Sequence, residues 1–365
     1  MALGARIVTI VGGATQSNVR NGFGMMTLQR YLAVGIFIGV GCPCAAVAQG
    51  AKARIAARTV NAVALPHTGA LRYSDTSQFT FFVAGDNRPA KAHEPQPATP
   101  GLIFAAAAAT KPAFIVWTVD LIYGFDSANT KKMRKQYDEF FALAQQSGVP
   151  VFSAPGNHEM NVKIKHDDFR KEAGSAAMEA IYRENVGLAK DSAIYQSFRY
   201  GNSRFILVNT EEVAPPSSAR SAGARVAGGK LNLDPGYVSP RQIGWIKQQL
   251  EASRTVAHIF LFMHHPIKPR KPTMALDSSS AAALMTLFSK YRNISYVFAS
   301  HEHAYFNPQR GDVSAPPSRD DPANGGPSYL VSGGAGAPLE KGAFHNYLVV
   351  RVKGPHIDVE MVKLP

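Results

Sequence analysis

Short apolar runs, closed by glycine, proline or a polar residue, recur along this chain from residue 79 onward and alternate with stretches of helical spacing. Residues 79–84, 113–118 and 151–154 are too short to be helices and rich in aromatic and β-branched side chains, so each reads as a buried strand. Between them, 101–110 is an alanine-rich helix. Residues 130–147 form a second helix, with Met133, Tyr137, Phe140, Phe141, Leu143 and Ala144 at helical intervals before Gly148-Val149-Pro150 stops it. This alternation predicts a parallel sheet with helices on its faces. Further along, 163–187 is predicted helical with its charges outward, and 195–200 pairs with 204–209 as a hairpin about Gly201-Asn202. Residues 211–238, dense in proline, serine, alanine and glycine, predict a long surface loop. Residues 239–251 form a helix with Pro240 at its start and Ile243, Trp245, Ile246 and Leu250 inward. A strand over 257–263, a helix over 281–291 and a strand over 294–299 follow. Residues 329–332, 347–352 and 357–362 close the fold as strands. The pattern shows no internal repeat, and 79–365 reads as one domain.

Ahead of residue 79 the pattern changes. Residues 49–78 have no strong period and read as a linker and arm. Arg30, the apolar run from Tyr31 to Val40 and Ala46-Val47-Ala48 give a basic start, a short greasy centre and small residues two apart. That is the design of a secretory signal peptide over 25–48, too short to span a membrane comfortably. Translation from Met25 or Met26 makes residues 1–24 an upstream misread start. Cleavage near Ala48 predicts a periplasmic or secreted protein with no membrane span. Both cysteines, Cys42 and Cys44, leave with the leader, so any metal in the remainder rests on His, Asp, Asn or Tyr. The leader carries Arg6, Arg20 and Arg30 and no acid, and taking those three charges from the net +13 leaves +10. Such a charge draws anions, but apart from Lys131, Lys132, Arg134 and Lys135 on one helix the basic residues are scattered, and no nucleic-acid-binding module is legible. The apolar fraction of 45% is that of a globular protein and argues against overall disorder.

The chemistry collects where strands stop. Five apolar strands end, in order, at Asp86, Asp120, Asn157-His158, His264, and His301 with His303. In a packed α/β sheet such ends converge on one rim, so donors remote in sequence can share a site. Carboxylate, amide and imidazole without thiolate suit ions such as Zn, Mn or Fe. Two such ions side by side clamp the attacking and leaving oxygens of a phosphoryl displacement and supply hydroxide at neutral pH.

These residues resemble the calcineurin-like metallophosphoesterases, and among them the purple acid phosphatases and their bacterial relatives. The resemblance covers about residues 79–362. It rests on Gly85-Asp86, on Val119-Asp120-Leu121-Ile122-Tyr123 for a Gly-Asp-x-x-Tyr block, on Gly156-Asn157-His158-Glu159, on His264 after its strand, and on Ser300-His301-Glu302-His303 for Gly-His-x-His. It implies a four-layer αββα sandwich. It also implies two metal ions (Fe, Zn or Mn) acting on a small phosphorylated substrate. Asp86, His303 and Tyr123 would hold the first ion, Asn157, His264 and His301 the second, and Asp120 would bridge them. His158 would protonate the leaving alkoxide. Tyr123 reads equally as a packing residue, and His265 as a buttress hydrogen-bonded behind the ligands. Arg88 stands where commoner members carry histidine, and can contact phosphate or pair with a carboxylate. Val119 and Ser300 replace glycines, and a valine is strained wherever φ must be positive. The resemblance implies hydrolysis of phosphate monoesters by attack of metal-bound hydroxide. A phosphodiesterase at the same site, or an inactive fold binding anionic envelope polymers, are the other readings of the same residues.

Overall fold

The computed structural model describes residues 62–365, apart from 126–129, 164–170, 173–175, 215–223, 226–230, 233–234 and 312–325. The expected leader over 25–48 and the expected upstream start over 1–24 lie outside the described residues. In chain order the strands are β1 Gln78–Ala84, β2 Ile115–Trp117, β3 Val151–Ser153, β4 Val162–Lys163, β5 Lys171–Glu172, β6 Gln196–Tyr200, β7 Ser203–Leu207, β8 Ala224–Arg225, β9 Leu231–Asn232, β10 His258–Phe262, β11 Ile294–Ala299, β12 Tyr305–Phe306, β13 Ser328–Ser332, β14 Asn346–Lys353 and β15 His356–Lys363. The helices are α1 Thr99–Thr110, α2 Thr130–Ser147, α3 Asn157–Met160, α4 Ala176–Val186, α5 Pro240–Glu251 and α6 Ser278–Phe288.

Two mixed sheets form the centre, as the expected αββα sandwich requires, with parallel strands at the heart of each. The first runs β15-β14-β1-β2-β3 and the second β12-β13-β11-β10-β7-β6. Within the first, β1, β2 and β3 are parallel, and β14 runs antiparallel to both its neighbours, β1 and β15. Within the second, β7, β10, β11 and β13 are parallel, with β6 and β12 antiparallel at the edges.

The period of two along each strand decides which layer a side chain joins. Phe81, Val83 and Val116 point into the space between the sheets and meet Phe205, Phe260, Phe262 and Phe298 of the second. Their neighbours Phe82, Ala84, Ile115 and Trp117 point the other way, onto Ile103 and Phe104 of α1, Tyr137 and Phe140 of α2 and Tyr182 of α4. On the far side Ile206, Ile259, Leu261 and Val297 bury Ile246 and Leu250 of α5 and Leu284 and Phe288 of α6. The layers are therefore helix, sheet, sheet, helix. The phenylalanines of the middle layer stack closely, with Phe152 and Phe198 centroids 4.3 Å apart and Phe114 and Phe205 4.9 Å apart. That aromatic seam holds the two sheets face to face.

Local signals explain most boundaries. Ser239 caps α5 by accepting the Gln242 N–H, with Pro240 in the first turn, and Asp277 caps α6. The β6–β7 hairpin turns at Gly201, whose φ of 57° places it in the left-handed region. The helix expected over 163–187 is a finding to correct. Among the described residues of that range the helix is 176–186, while Val162 and Lys163 pair with Glu172 and Lys171 as a short ladder. The apolar repeat behind that expectation belongs to Met178, Ile181, Tyr182 and Val186 alone. The arm before β1 also contributes, because Leu65 is buried and its N–H donates to the Val151 carbonyl on the free edge of β3. Among the described residues no helix is long and apolar enough to cross a membrane.

Candidate metal centre

The parallel strands β1, β2 and β3 of one sheet and β10 and β11 of the other deliver their C-terminal ends to one rim. Asp86 follows β1, Asp120 follows β2, and Asn157 opens α3 just after β3. His264 follows β10, and His301 follows β11. All five are buried. Across the two sheets, His264 Nε2 lies 3.0 Å from Asn157 Oδ1, 3.0 Å from His301 Nδ1 and 3.5 Å from Asp120 Oδ1. His264 Nδ1 lies 3.6 Å from Asp86 Oδ1. His303 joins from the same loop. Its Nδ1 is 2.7 Å from the Pro338 carbonyl, and a Cβ on Gly333 would strike both Asp86 Oδ2, at 2.3 Å, and the His303 backbone N, at 3.1 Å. Gly156 is needed for a similar reason, since its Cβ would come within 2.2 Å of Asp120 Oδ1.

Backbone strain marks the same residues. Asp86, Asp120 and His301 hold φ of 59°, 68° and 70°, a region sparsely populated by residues other than glycine and asparagine. Val119 and Ser300 do not take up positive φ, so the valine escapes the strain that such a backbone would impose, and the positive φ falls one residue further on, at Asp120 and His301. Ser300 instead does something a glycine could not. Its hydroxyl lies 3.1 Å from His264 Nδ1 and donates to the Thr118 carbonyl, which itself lies 3.3 Å from Nδ1. With Nδ1 engaged there, His264 turns Nε2 to the cluster.

The electrostatics call for a cation. Burial, and then Asp120, raise the Asp86 carboxyl well above the ordinary range. Neither Asp86 oxygen is closed by a well-formed hydrogen bond, although the His301 backbone N–H acts on it electrostatically. Burial holds His264 below its ordinary value and pushes His303 down to about 4, with Arg88 as the second cause. The site thus offers neutral imidazoles and buried carboxylates whose charge is costly without compensation. The donor set fits metal ions on chemistry and on distance. Asp86, Asp120 and His264 could hold one, and so could His264, His265 and His301.

The other expected residues are placed as follows. His158 N–H donates to Asp120 Oδ1 at 3.2 Å, its Nδ1 bonds the Tyr123 carbonyl, and its Nε2 lies 3.7 Å from Asp120 Oδ2. Its ring rests on Phe125, 4.0 Å between centroids. Tyr123 donates its main-chain N–H to Gln136 Oε1, and its ring stands 6.0 Å from the His158 ring. Arg88 reaches Asp120 Oδ2 with Nε at 4.0 Å, the looser limit of an ion pair, and donates from Nη1 to the Pro89 carbonyl. His265 is buried, with Nδ1 2.6 Å from Glu211 Oε1.

Glu159 does more than the sequence reveals. Its carboxylate accepts the backbone N–H groups of Gly156, Asp120, Leu121 and Ile122, and so ties the loop after β2 to the turn after β3. Burial, and then Asp120, raise it to about 8. A second brace is made of amides. Asn87 Nδ2 donates to Gln96 Oε1, Gln96 Nε2 donates to the carbonyls of Leu121 and Gln136, and Gln136 receives the Tyr123 N–H. Only the Gly156-to-Glu159 spacing, with its carboxylate three residues after the turn, hinted at any of this.

With the geometry in view, comparison with known proteins assigns the class. The chain belongs to the calcineurin-like phosphoesterase family, whose model matches residues 80–305. It is similar in fold to a dimetal phosphatase from Danio rerio, with a TM-score of 0.54 at 12% identity, covering 79% of this chain and 99% of that one. It also aligns with a metallophosphoesterase from Sphaerobacter thermophilus, with a TM-score of 0.33 at 13% identity over 78% of this chain and 88% of that one. No curated protein matches the chain.

Proposed function

We propose that this chain is an exported phosphatase that hydrolyses phosphate monoesters at a site holding two metal ions. The observation that carries this reading is one cluster of buried donors. Asp86 and Asp120 face His264 and His301 with Asn157 beside them, drawn from two sheets onto a single rim. Asp86 and His303, with Tyr123 as a further oxygen donor, would hold the first ion. Asn157, His264 and His301 would hold the second, and Asp120 would serve both. Ions such as Zn, Mn or Fe supply charge neutralisation for the phosphoryl oxygens and acidify a water. The chain's own part is to bind and to move a proton. Arg88, whose Nε carries no hydrogen bond, stands beside Asp120 to receive a phosphate oxygen. His158 holds Nδ1 against the Tyr123 carbonyl and turns Nε2 inward, which suits it to deliver a proton to the departing oxygen. The basic chain draws anionic substrates, and the leader pattern supports export.

Release of p-nitrophenol from its mono- and bis-phosphate esters, with Mn, Zn or Fe supplied, tests the reaction and separates monoesterase from diesterase. Inactivity with every ion, or Asn157→Ala and His264→Ala variants as active as the parent, defeats the reading. His158→Asn gives a sharper expected result. Hydrolysis of an alkyl phosphate falls about a hundredfold in kcat. That of p-nitrophenyl phosphate, whose leaving group departs as a stable anion, falls far less. An equal loss on both substrates removes His158 from the proton-transfer role.

A further inference from the structure

Glu211 lies in none of the motifs above, yet it is fully buried beside the site. One of its oxygens is 2.6 Å from His265 Nδ1, and the Thr210 hydroxyl donates to that same oxygen at 3.1 Å. The other accepts Asn161 Nδ2 at 3.3 Å. The two arms lead to opposite halves of the donor set. Asn161 closes the α3 turn, its N–H donating to the carbonyl of Asn157 at 3.0 Å. His265 lays its ring on that of His301, with centroids 3.9 Å apart, and is the chain neighbour of His264. Glu211 is itself fixed. Its N–H donates to Asn209 Oδ1, and Asn209 is gripped on both main-chain groups by the buried amide of Gln242. The chain leaves no slack behind the imidazole either, since a Cβ on Gly236 would fall 2.5 Å from His265 Cγ.

From this we infer that Glu211 is the positioning residue of the second metal site. One carboxylate spans the two sheets and clamps the Asn157 turn of the first against the His264–His301 pair of the second. It touches neither ion nor substrate. Its role is to keep an amide oxygen and two imidazole nitrogens at ligand spacing, which a carboxylate behind a histidine does by fixing the ring's orientation. The inference rests on the two-ion reading of the site, and on geometry alone.

The test is a calorimetric titration of the metal-stripped full chain with Mn²⁺. The wild type binds two ions in two steps. Glu211→Gln, similar in size but uncharged, is expected to weaken one step ten- to a hundredfold and leave the other within about twofold. The Mn²⁺ concentration giving half-maximal activity should rise by the same factor, while kcat at saturating Mn²⁺ stays within about threefold of wild type. Asn161→Ala cuts the other arm and should shift the same step several-fold, so it decides the matter if Glu211→Gln does not fold. Wild-type isotherms in a folded Glu211→Gln or Asn161→Ala protein overturn the inference. Equal weakening of both steps overturns it too, because it signals general loosening. A wild type that binds fewer than two ions sinks the two-ion reading first, and this inference with it.

Discussion

Asp120→Asn is expected to lower kcat/KM at least about a thousandfold with any supporting metal, roughly 4 kcal/mol of transition-state stabilisation, while the protein stays folded. The substitution isolates charge. Asparagine has the size of aspartate and tolerates the left-handed φ of 68° found here, whereas alanine would add strain. Its carbonyl can still accept the His158 N–H that Oδ1 accepts now. What disappears is the carboxylate that stands 3.5 Å from His264 Nε2, 3.7 Å from His158 Nε2 and 4.0 Å from Arg88 Nε, in reach of both proposed ion sites and of both groups assigned to substrate. Elemental analysis should find less than one tightly held ion per chain. A folded Asp120→Asn protein with wild-type metal content and more than half the activity would show that the two sites do not share this residue.

How far the chain could be read follows from the range of each signal. The strands were legible because each is a short run of aromatic and aliphatic residues whose alternate members face different layers, Phe81 inward and Phe82 outward. Donors at strand ends were legible because polar residues directly after such runs have few other reasons to be buried. Helix α3 was not, since a single turn of four residues cannot display a period. The split into two sheets came from the family resemblance and not from the strand pattern, because strand order is set by contacts between segments far apart in the chain. The braces were the least legible. Glu211 meets Asn161 from fifty residues away and His265 from fifty-four, and nothing in the polar neighbourhood of 211–238 separates it from a solvated glutamate. Ser300 read as a lost glycine, yet its hydroxyl engages Nδ1 of His264 and compensates for the substitution. Whether a substituted position needed positive φ was not legible, and the chain carries positive φ on the donors Asp86, Asp120 and His301.

Those donors also make the metal-free protein sensitive to pH in a direction opposite to that usual for carboxylates. Glu159, at about 8 in the folded chain against 4.5 when exposed, and Asp86, raised well above 3.8, bind protons more tightly folded than unfolded. Their contribution is fully present below the unfolded values and is lost as pH rises through the folded ones. His303, lowered from 6.5 to about 4, and His264, lowered in the same sense, act the other way, and their effect fades towards about pH 7.5 as the unfolded imidazoles lose their protons. The two effects oppose one another in mild acid. Between about pH 7 and 8 Glu159 sets the trend, at up to about 1.4 kcal/mol per pH unit. It then costs on the order of 1 kcal/mol across that interval. Bound ions reverse the trend, because they favour the charged carboxylates, and each ion at a hundred times its Kd adds about 2.7 kcal/mol. Melting curves of stripped and Mn²⁺-loaded protein should therefore diverge as pH rises from about 7 to 8. A stripped protein whose Tm is flat or rising over that interval would mean that Glu159 is already charged without metal, compensated by some other partner in the fold.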